Sequence, residues 1–120
     1  MSNIEVDEYG TKYWYNKNGM VAELADGTKH WYINGKLHRE DGPAIEYSNG
    51  SKVWYVNGKC HREDGPACEY STGDKLWYIN DKLHRVDGPA AEGTNGHKQY
   101  WLNGIQYDSL EEGFMDQALY

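Results

Sequence analysis

Histidine and arginine stand side by side three times in this chain, as His38-Arg39, His61-Arg62 and His84-Arg85, with a step of 23 residues. An imidazole beside a guanidinium is the pairing here best equipped for chemistry. Repeated along one face, it makes a ladder that could hold an anion, a nucleotide or an acidic partner. The same residues also have a scaffolding use. Each Arg has an Asp two positions on (Asp41, Asp64, Asp87), and each His can pack beside the Trp that lies opposite it across a two-residue turn. Val86 stands where the other units carry Glu40 and Glu63, so the unit does not require that acid. Consecutive histidines lie two strand spacings apart, about 10 Å, whereas metal ligands sit about 2 Å from their ion. No metal site is expected, and no cofactor. Cys60 next to His61 does not make a catalytic pair, because neighbours on a strand point to opposite faces. No glycine-rich phosphate loop or carboxylate pair stands out, and the chain reads as non-enzymatic.

These residues belong to a longer repeated line, Trp-Tyr-x-Asn-x-Lys-x-His-Arg-x-Asp-Gly-Pro-Ala, at Trp31 to Ala44, Trp54 to Ala67 and Trp77 to Ala90. A fixed pitch means an array of one structural unit. Each unit predicts two short strands and two turns. In Ser51 to Gly73, the aromatic and β-branched run Lys52-Val53-Trp54-Tyr55-Val56 suits a strand. Asn57-Gly58 suits a type I′ hairpin turn, and Asn80-Asp81 is its weaker variant. The chain returns through His61-Arg62, bends at Asp64-Gly65-Pro66, extends through Ala67 to Tyr70 and turns at Ser71-Thr72-Gly73. In Asp-Gly-Pro-Ala, Gly is expected to supply a permissive turn and Pro to fix φ. The expected fold is all-β, a single-layer antiparallel meander of tandem hairpins. Residues 1–26 form a degenerate first repeat, 27–96 three full repeats and 97–108 a degenerate last one. Residues 109–120 read as a capping helix: Ser109-Leu110-Glu111-Glu112 has the capping-box pattern, and Leu110, Phe114 and Ala118 with Met115 and Leu119 form an apolar stripe.

The chain has 120 residues, enough for one domain, with eleven Tyr and five Trp against one Phe. That bias suits a thin sheet with half-wet rings. The net charge of −7 comes wholly from the ends: Glu5, Asp7, Glu8, Asp108, Glu111, Glu112 and Asp116 have no basic residue near them, while residues 11–98 hold twelve acids and twelve bases. Nucleic-acid binding is disfavoured for want of a basic track, as is adhesion to an anionic bilayer. No run is long and apolar enough for a transmembrane helix, and the first residues lack secretory features. Cys60 occupies the slot of Leu37 and Leu83, and Cys68 that of Ile45 and Ala91, so both read as small buried hydrophobes. Taking Asn49-Gly50 as a two-residue loop puts Ile45 opposite Trp54. One face then carries Ile45, Tyr47, Trp54, Val56 and His61, and the other Val53, Tyr55, Cys60 and Arg62. On that parity the two thiols cannot meet, and they are expected to be reduced in a cytosolic setting.

The unit Trp54-Tyr55-Val56-Asn57-Gly58-Lys59-Cys60-His61, with Tyr70 and Gly73, resembles the MORN repeat family over roughly residues 10–108. Where that family has His-Gly-x-Gly, this chain has His-Arg-Glu-Asp-Gly-Pro-Ala, a variant similar to repeat proteins of phage and prophage genomes and, distantly, to the bacterial MORN-variant antitoxins. The resemblance implies stacked hairpins that act as an interaction surface. It implies a phage-encoded inhibitor in the cytosol of a bacterial host, occluding a host protein such as a defence effector. Alternatives are an antitoxin-like partner of a toxin enzyme and a sponge for a nucleotide signal. From the residues themselves, the candidate binding surface comprises Trp31, Trp54 and Trp77, Tyr32, Tyr55 and Tyr78, His38, His61 and His84, and Arg39, Arg62 and Arg85. Tyr, Trp and Arg are enriched in binding hot spots. Both faces of a one-layer sheet would carry aromatics, so curvature, a second copy in a homodimer or a target must cover one.

Overall fold

Two kinds of turn alternate along the chain, and they make different demands on the backbone. At Asn34-Gly35, Asn57-Gly58, Asn80-Asp81 and Asn103-Gly104 both residues have positive φ, as a type I′ turn requires. Each closes a two-residue hairpin, so that Tyr55 lies opposite Cys60 and Tyr78 opposite Leu83. Asn80-Asp81 adopts the same geometry despite its second residue. The Asp81 carboxylate accepts the backbone N–H of Cys60 at 2.6 Å, and Asp is one of the few residues that tolerates this region. At Gly27, Gly50, Gly73 and Gly96 only the glycine has positive φ. Here the loops have three residues: Tyr47 donates its N–H to the Ser51 carbonyl, and Gly50 donates to the Tyr47 carbonyl. This is a type I turn closed by a left-handed residue.

The computed structural model, which describes residues 3–118, is an antiparallel meander with one helix at its end. The sheet runs through Asn3–Val6, Lys12–Tyr15, Gly19–Glu23, Lys29–Ile33, Ile45–Glu46, Lys52–Val53, Cys68–Glu69, Lys75–Leu76, Ala91–Glu92, Lys98–Leu102 and Ile105–Tyr107, each strand paired with the next. Eleven strands at about 4.8 Å give a sheet roughly 50 Å long, in keeping with the observed extents of 52 × 32 × 20 Å. Three of the four type I′ hairpins do not lie on this path, and the fourth, at Asn103-Gly104, joins its last two strands. Tyr55–Val56 with Lys59–Cys60, and Tyr78–Ile79 with Lys82–Leu83, form separate two-stranded ladders, and Lys36–Leu37 hangs from Lys29–Ile33 as a branch.

The branch point is the tryptophan. Trp54 donates its N–H to the Ala67 carbonyl in the main sheet, while its own carbonyl accepts from His61 in the side hairpin; Trp31 and Trp77 do the same with Ala44 and His38, and with Ala90 and His84. The strand therefore changes partner at this residue. The side hairpins are joined to one another: Gly58 donates to the Leu37 carbonyl, Asp81 to Cys60 and Gly104 to Leu83. The buried cluster draws on both rows. It comprises Ile45, Val53, Ala67 and Cys68 from the main sheet and its approach, and Cys60 from the side hairpin, with Leu37, Trp54, Tyr55, Leu76 and Tyr78 packed against it. Bending at each Trp thus covers one face of the sheet. Ala44, Ala67 and Ala90 are fully buried, and no large side chain is so among the described residues, consistent with a thin core.

The face assignment expected from sequence is overturned. Ile45 lies opposite Val53, not Trp54, and Cys68 lies opposite both Val53 and Leu76. The cause is the loop at Ser48–Gly50. It has three residues rather than two, and a one-residue shift of register exchanges the faces. Ile45, Val53 and Cys68 therefore share one face. Cys60 joins the same cluster from the side hairpin, and the two sulfurs sit 3.8 Å apart. The thiols are free, but they meet where the parity count separates them.

The closing helix spans Leu110–Ala118. Ser109 caps it, its hydroxyl accepting the Glu112 N–H. Residues 119 and 120 of the expected helix lie outside the described residues. The helix does not use the expected stripe: Phe114 and Met115 are 43% and 72% exposed. Gly113 is the buried residue instead, and a Cβ there would lie 2.7 Å from Leu102 and 2.8 Å from Tyr107. Absence of a side chain lets the helix approach the sheet closely. Gln117 then donates to the Leu102 carbonyl and accepts from Asn103, while the Tyr107 hydroxyl donates to Asp116. Polar contacts and one glycine close this end.

Candidate functional site

Each His-Arg-x-Asp-Gly-Pro-Ala segment builds the same cage around its guanidinium. Arg62 lies over the Trp54 ring with Cζ 3.8 Å from the centroid, and Arg39 and Arg85 lie over Trp31 and Trp77 at 3.9 Å. Arg62 Nε donates to Asp64 at 3.0 Å and Nη1 donates to the Pro66 carbonyl at 3.0 Å. Nη1 also faces Glu69 at 3.6 Å; in the first unit the equivalent Arg39–Glu46 contact is 2.7 Å. Arg85 repeats the pattern with Asp87, Pro89 and Glu92. The opposite side of the guanidinium rests on glycine. A Cβ on Gly42, Gly65 or Gly88 would lie 3.1, 3.0 or 2.7 Å from Arg Cζ. None of these glycines has positive φ. The expectation that Gly supplies a permissive turn is therefore corrected: Gly supplies room. The motif reads as one device. Asp and the Pro carbonyl hold the fork, Gly and Trp sandwich its plane, and buried Ala lets the strands close.

The histidines stitch neighbouring units together. His38 Nδ1 accepts the Asn57 backbone N–H at 2.8 Å, His61 accepts from Asn80 at 3.1 Å, and His84 accepts from Asn103 at 2.9 Å. An accepting Nδ1 assigns the proton to Nε2, which faces Glu40 or Glu63 at 3.5 Å in the first two units. A second line of stitches runs along the other edge. Thr28 Oγ1 accepts the Ser48 N–H, Ser51 Oγ accepts from Ser71, and the Asp74 carboxylate accepts from Thr94. The N–H bond from Thr94, then the Thr72 hydroxyl, holds the Asp74 carboxyl below its ordinary value. Asp26 is held low by the Thr28 N–H first, with Ser48 adding. Slots 28, 51 and 74 hold Thr, Ser and Asp, all short acceptors at the 23-residue step, and slot 46, 69, 92 is Glu throughout. Both recurrences are visible in the sequence once the units are aligned in full, and neither lies within the motif itself.

The twelve candidate residues do not form one surface. Trp, His and Arg of each unit border an open groove on one side of the bend. Tyr32 lines the first groove, but Tyr55 and Tyr78 line none of the three and pack against the buried cluster, which Trp54 also touches. Burial, foremost, raises the phenol pKa of both. Among the described residues each full unit has one such groove, and adjacent ones share walls. Arg39, Glu40 and Asp41 line the first and second, and Arg62, Glu63 and Asp64 the second and third. Each floor is a Trp with an aliphatic neighbour: Trp31 with Ile33, Trp54 with Val56, Trp77 with Ile79. The rims carry carboxylates whose side chains are 81–88% exposed: Glu40, Asp41, Glu63, Asp64 and Asp87. No cluster of three or more metal-ligating side chains occurs among the described residues, and no helix among them is long and apolar enough to cross a membrane. Comparison of the chain with protein-family models, with curated proteins and with solved structures gives no match.

Proposed function

We propose that this chain is a non-enzymatic protein-binding module whose working surface is the row of three grooves. The observation that carries the reading is their arrangement: one groove per unit, shared walls, an apolar floor beside Trp and an exposed acidic rim. Stitches on both edges hold the row rigid, which lowers the entropy cost of binding. The rim favours a partner segment bearing Lys or Arg. A nucleotide sponge fits less well, because each guanidinium already faces an Asp, a Glu and a carbonyl. On the resemblance to MORN-variant repeat proteins of phages, the partner is a host protein, and the module acts by occluding it.

Val56 and Ile79 are half-buried floor residues whose side chains no cage or stitch uses. Val56→Lys with Ile79→Lys should leave the fold intact by circular dichroism and abolish capture of the partner from host lysate. If the doubly substituted protein captures the same partners as the parent, the grooves are not the working surface.

A further inference from the structure

Cys60 and Cys68 are the only cysteines in the chain, and the fold brings them together. Cys60 comes from the side hairpin and Cys68 from the main sheet, 8% and 5% exposed, with sulfurs 3.8 Å apart. The corresponding slots hold Leu37 and Ile45 in the first full unit, and Leu83 and Ala91 in the third. The central unit alone has this pair, so the repeat does not require it. We propose that Cys60 and Cys68 are an oxidation site, converted by peroxide into an intramolecular disulfide that locks the central unit across its bend.

The sulfurs need to close by about 1.8 Å to reach bonding distance, a movement shared between two side chains. The surroundings define an order of events. The two thiols share one contact in which either can donate; with Cys60 as the donor, that bond and burial keep Cys60 protonated and favour ionisation at Cys68. Tyr70 stands two residues on from Cys68, on the same side of the strand. Tyr70 is 41% exposed, so the way in from solvent passes this ring. The Cys68 sulfur attacks one peroxide oxygen and the O–O bond breaks; with the thiol proton this gives sulfenic acid and water. The Cys60 sulfur then attacks the Cys68 sulfur. The S–O bond breaks, the hydroxyl leaves with the Cys60 proton as a second water, and the S–S bond forms. Two thiols lose two electrons, and one peroxide becomes two waters.

The bridge encloses His61 to Ala67, the segment that carries the central arginine cage and the wall between the second and third grooves. Oxidation therefore fixes the middle of the groove row. The thiol pair lies in the buried cluster and would oxidise whatever the grooves bind.

The folded, reduced protein is treated with a modest excess of hydrogen peroxide and analysed intact by mass spectrometry. The expected product is a monomer lighter by two hydrogens. Trypsin without reductant should then release residues 60–62 joined to residues 63–75, cut at Lys59, Arg62 and Lys75. The bridge should raise Tm by about 5–10 °C for so short a loop, reversibly on reduction. Cys60→Leu with Cys68→Ile, which copies the first unit, should fold and show no such shift. Three outcomes would overturn the proposal: free thiols persisting in the folded protein under conditions that oxidise the urea-unfolded chain, sulfinic acid as the main product, or covalent dimers. Should the double variant fail to fold, the mass and peptide map of the parent protein still decide.

Discussion

Replacing Gly88 by Ala separates two accounts of the Asp-Gly-Pro-Ala turn by the sign of the effect. Gly88 does not have positive φ. Were its role conformational permissiveness alone, Ala would fit the backbone and stabilise the fold by about 0.4–1 kcal/mol through the unfolded chain. The structure predicts the opposite. An Ala Cβ would stand 2.7 Å from Arg85 Cζ and 2.9 Å from Nη1. The guanidinium has to retreat by roughly 1 Å to reach ordinary contact, yet the Trp77 ring blocks it at 3.9 Å and the Asp87 and Pro89 bonds hold it at 3.0 Å. Losing the Pro89 bond costs about 1.5–3 kcal/mol as a charged hydrogen bond, and the disturbed cation–π contact about 0.5–1 kcal/mol more. Partial exposure of the arginine reduces these figures and the unfolded-state gain offsets part, leaving a net loss of about 1–2 kcal/mol. The clearances 2.7, 3.0 and 3.1 Å rank the three glycines: Gly88→Ala should cost most, Gly65→Ala less and Gly42→Ala least. Urea denaturation followed by tryptophan fluorescence measures all three. In an Arg85→Ala background the Gly88→Ala penalty should vanish or reverse. Stabilisation by all three alanines, or an unchanged penalty without the arginine, refutes the cage.

Other expectations follow from individual contacts. His38→Phe removes the acceptor of the Asn57 N–H at a site 8% exposed; it should cost about 1–3 kcal/mol and speed amide exchange at Asn57 in particular. Asp81→Gly relieves a left-handed non-glycine residue but removes the acceptor of the Cys60 N–H; the net loss should be about 1 kcal/mol, with exchange at Cys60 as readout. Gly113→Leu should drive the helix off Leu102 and Tyr107, costing about 1–3 kcal/mol by overpacking and freeing helix amides while the central sheet stays protected. Asp26 and Asp74 have carboxyls held below their ordinary value of 3.8, so both contribute stability above that pH and lose it as pH falls through their lowered folded values. Asp74→Asn should flatten the acid limb of the stability curve, and an unaltered limb would count against the Thr94 stitch.

The array was legible because its pitch is a property of the sequence. The loss of register in the face assignment came from one loop, and the units themselves carry the signal that corrects it. In the row Asn34, Asn57, Asn80, Asn103 the first turn residue never changes, because a type I′ turn needs positive φ there. In the row Asp26-Gly27, Asn49-Gly50, Thr72-Gly73, Asn95-Gly96 only the glycine is constant. One invariant left-handed residue means the three-residue loop, and Asn49-Gly50 read alone conceals it. Pairing of Arg with Asp two residues on was also readable, being local. Stacking on Trp, the Glu contact and the glycine backing were not. They join residues whose proximity exists only after the strand changes partner at Trp.

The structural tasks of the repeated residues limit which positions could recognise a partner. Trp, His, Arg, Asp, Gly, Pro and Ala recur in every full unit, and each has a structural task there: branch point, stitch, cage plane, fork holder, clearance, acceptor, close approach. A residue under such constraint cannot change to suit a partner without weakening the unit. Glu40, Glu63 and Val86 hold one exposed rim slot and differ in charge, and Ile33, Val56 and Ile79 hold one floor slot and differ in shape. Substitution at these six positions should cost little, since the Glu–His contacts are long at 3.5 Å and their carboxylates exposed, and the aliphatic side chains are at most half-buried. The scaffold presents three grooves of one design, and these variable slots make them unequal. The first is lined by Glu40, the second by Glu40 and Glu63, and the third by Glu63 and Val86. A partner segment lying along the row would therefore have a direction, with its basic side chains toward Glu40 and Glu63 and an apolar one toward Val86. Exchanging the residues, Glu40→Val with Val86→Glu, keeps composition and net charge. It should leave Tm nearly unchanged while weakening the partner, and equal binding after the exchange would show that the rim does not read it.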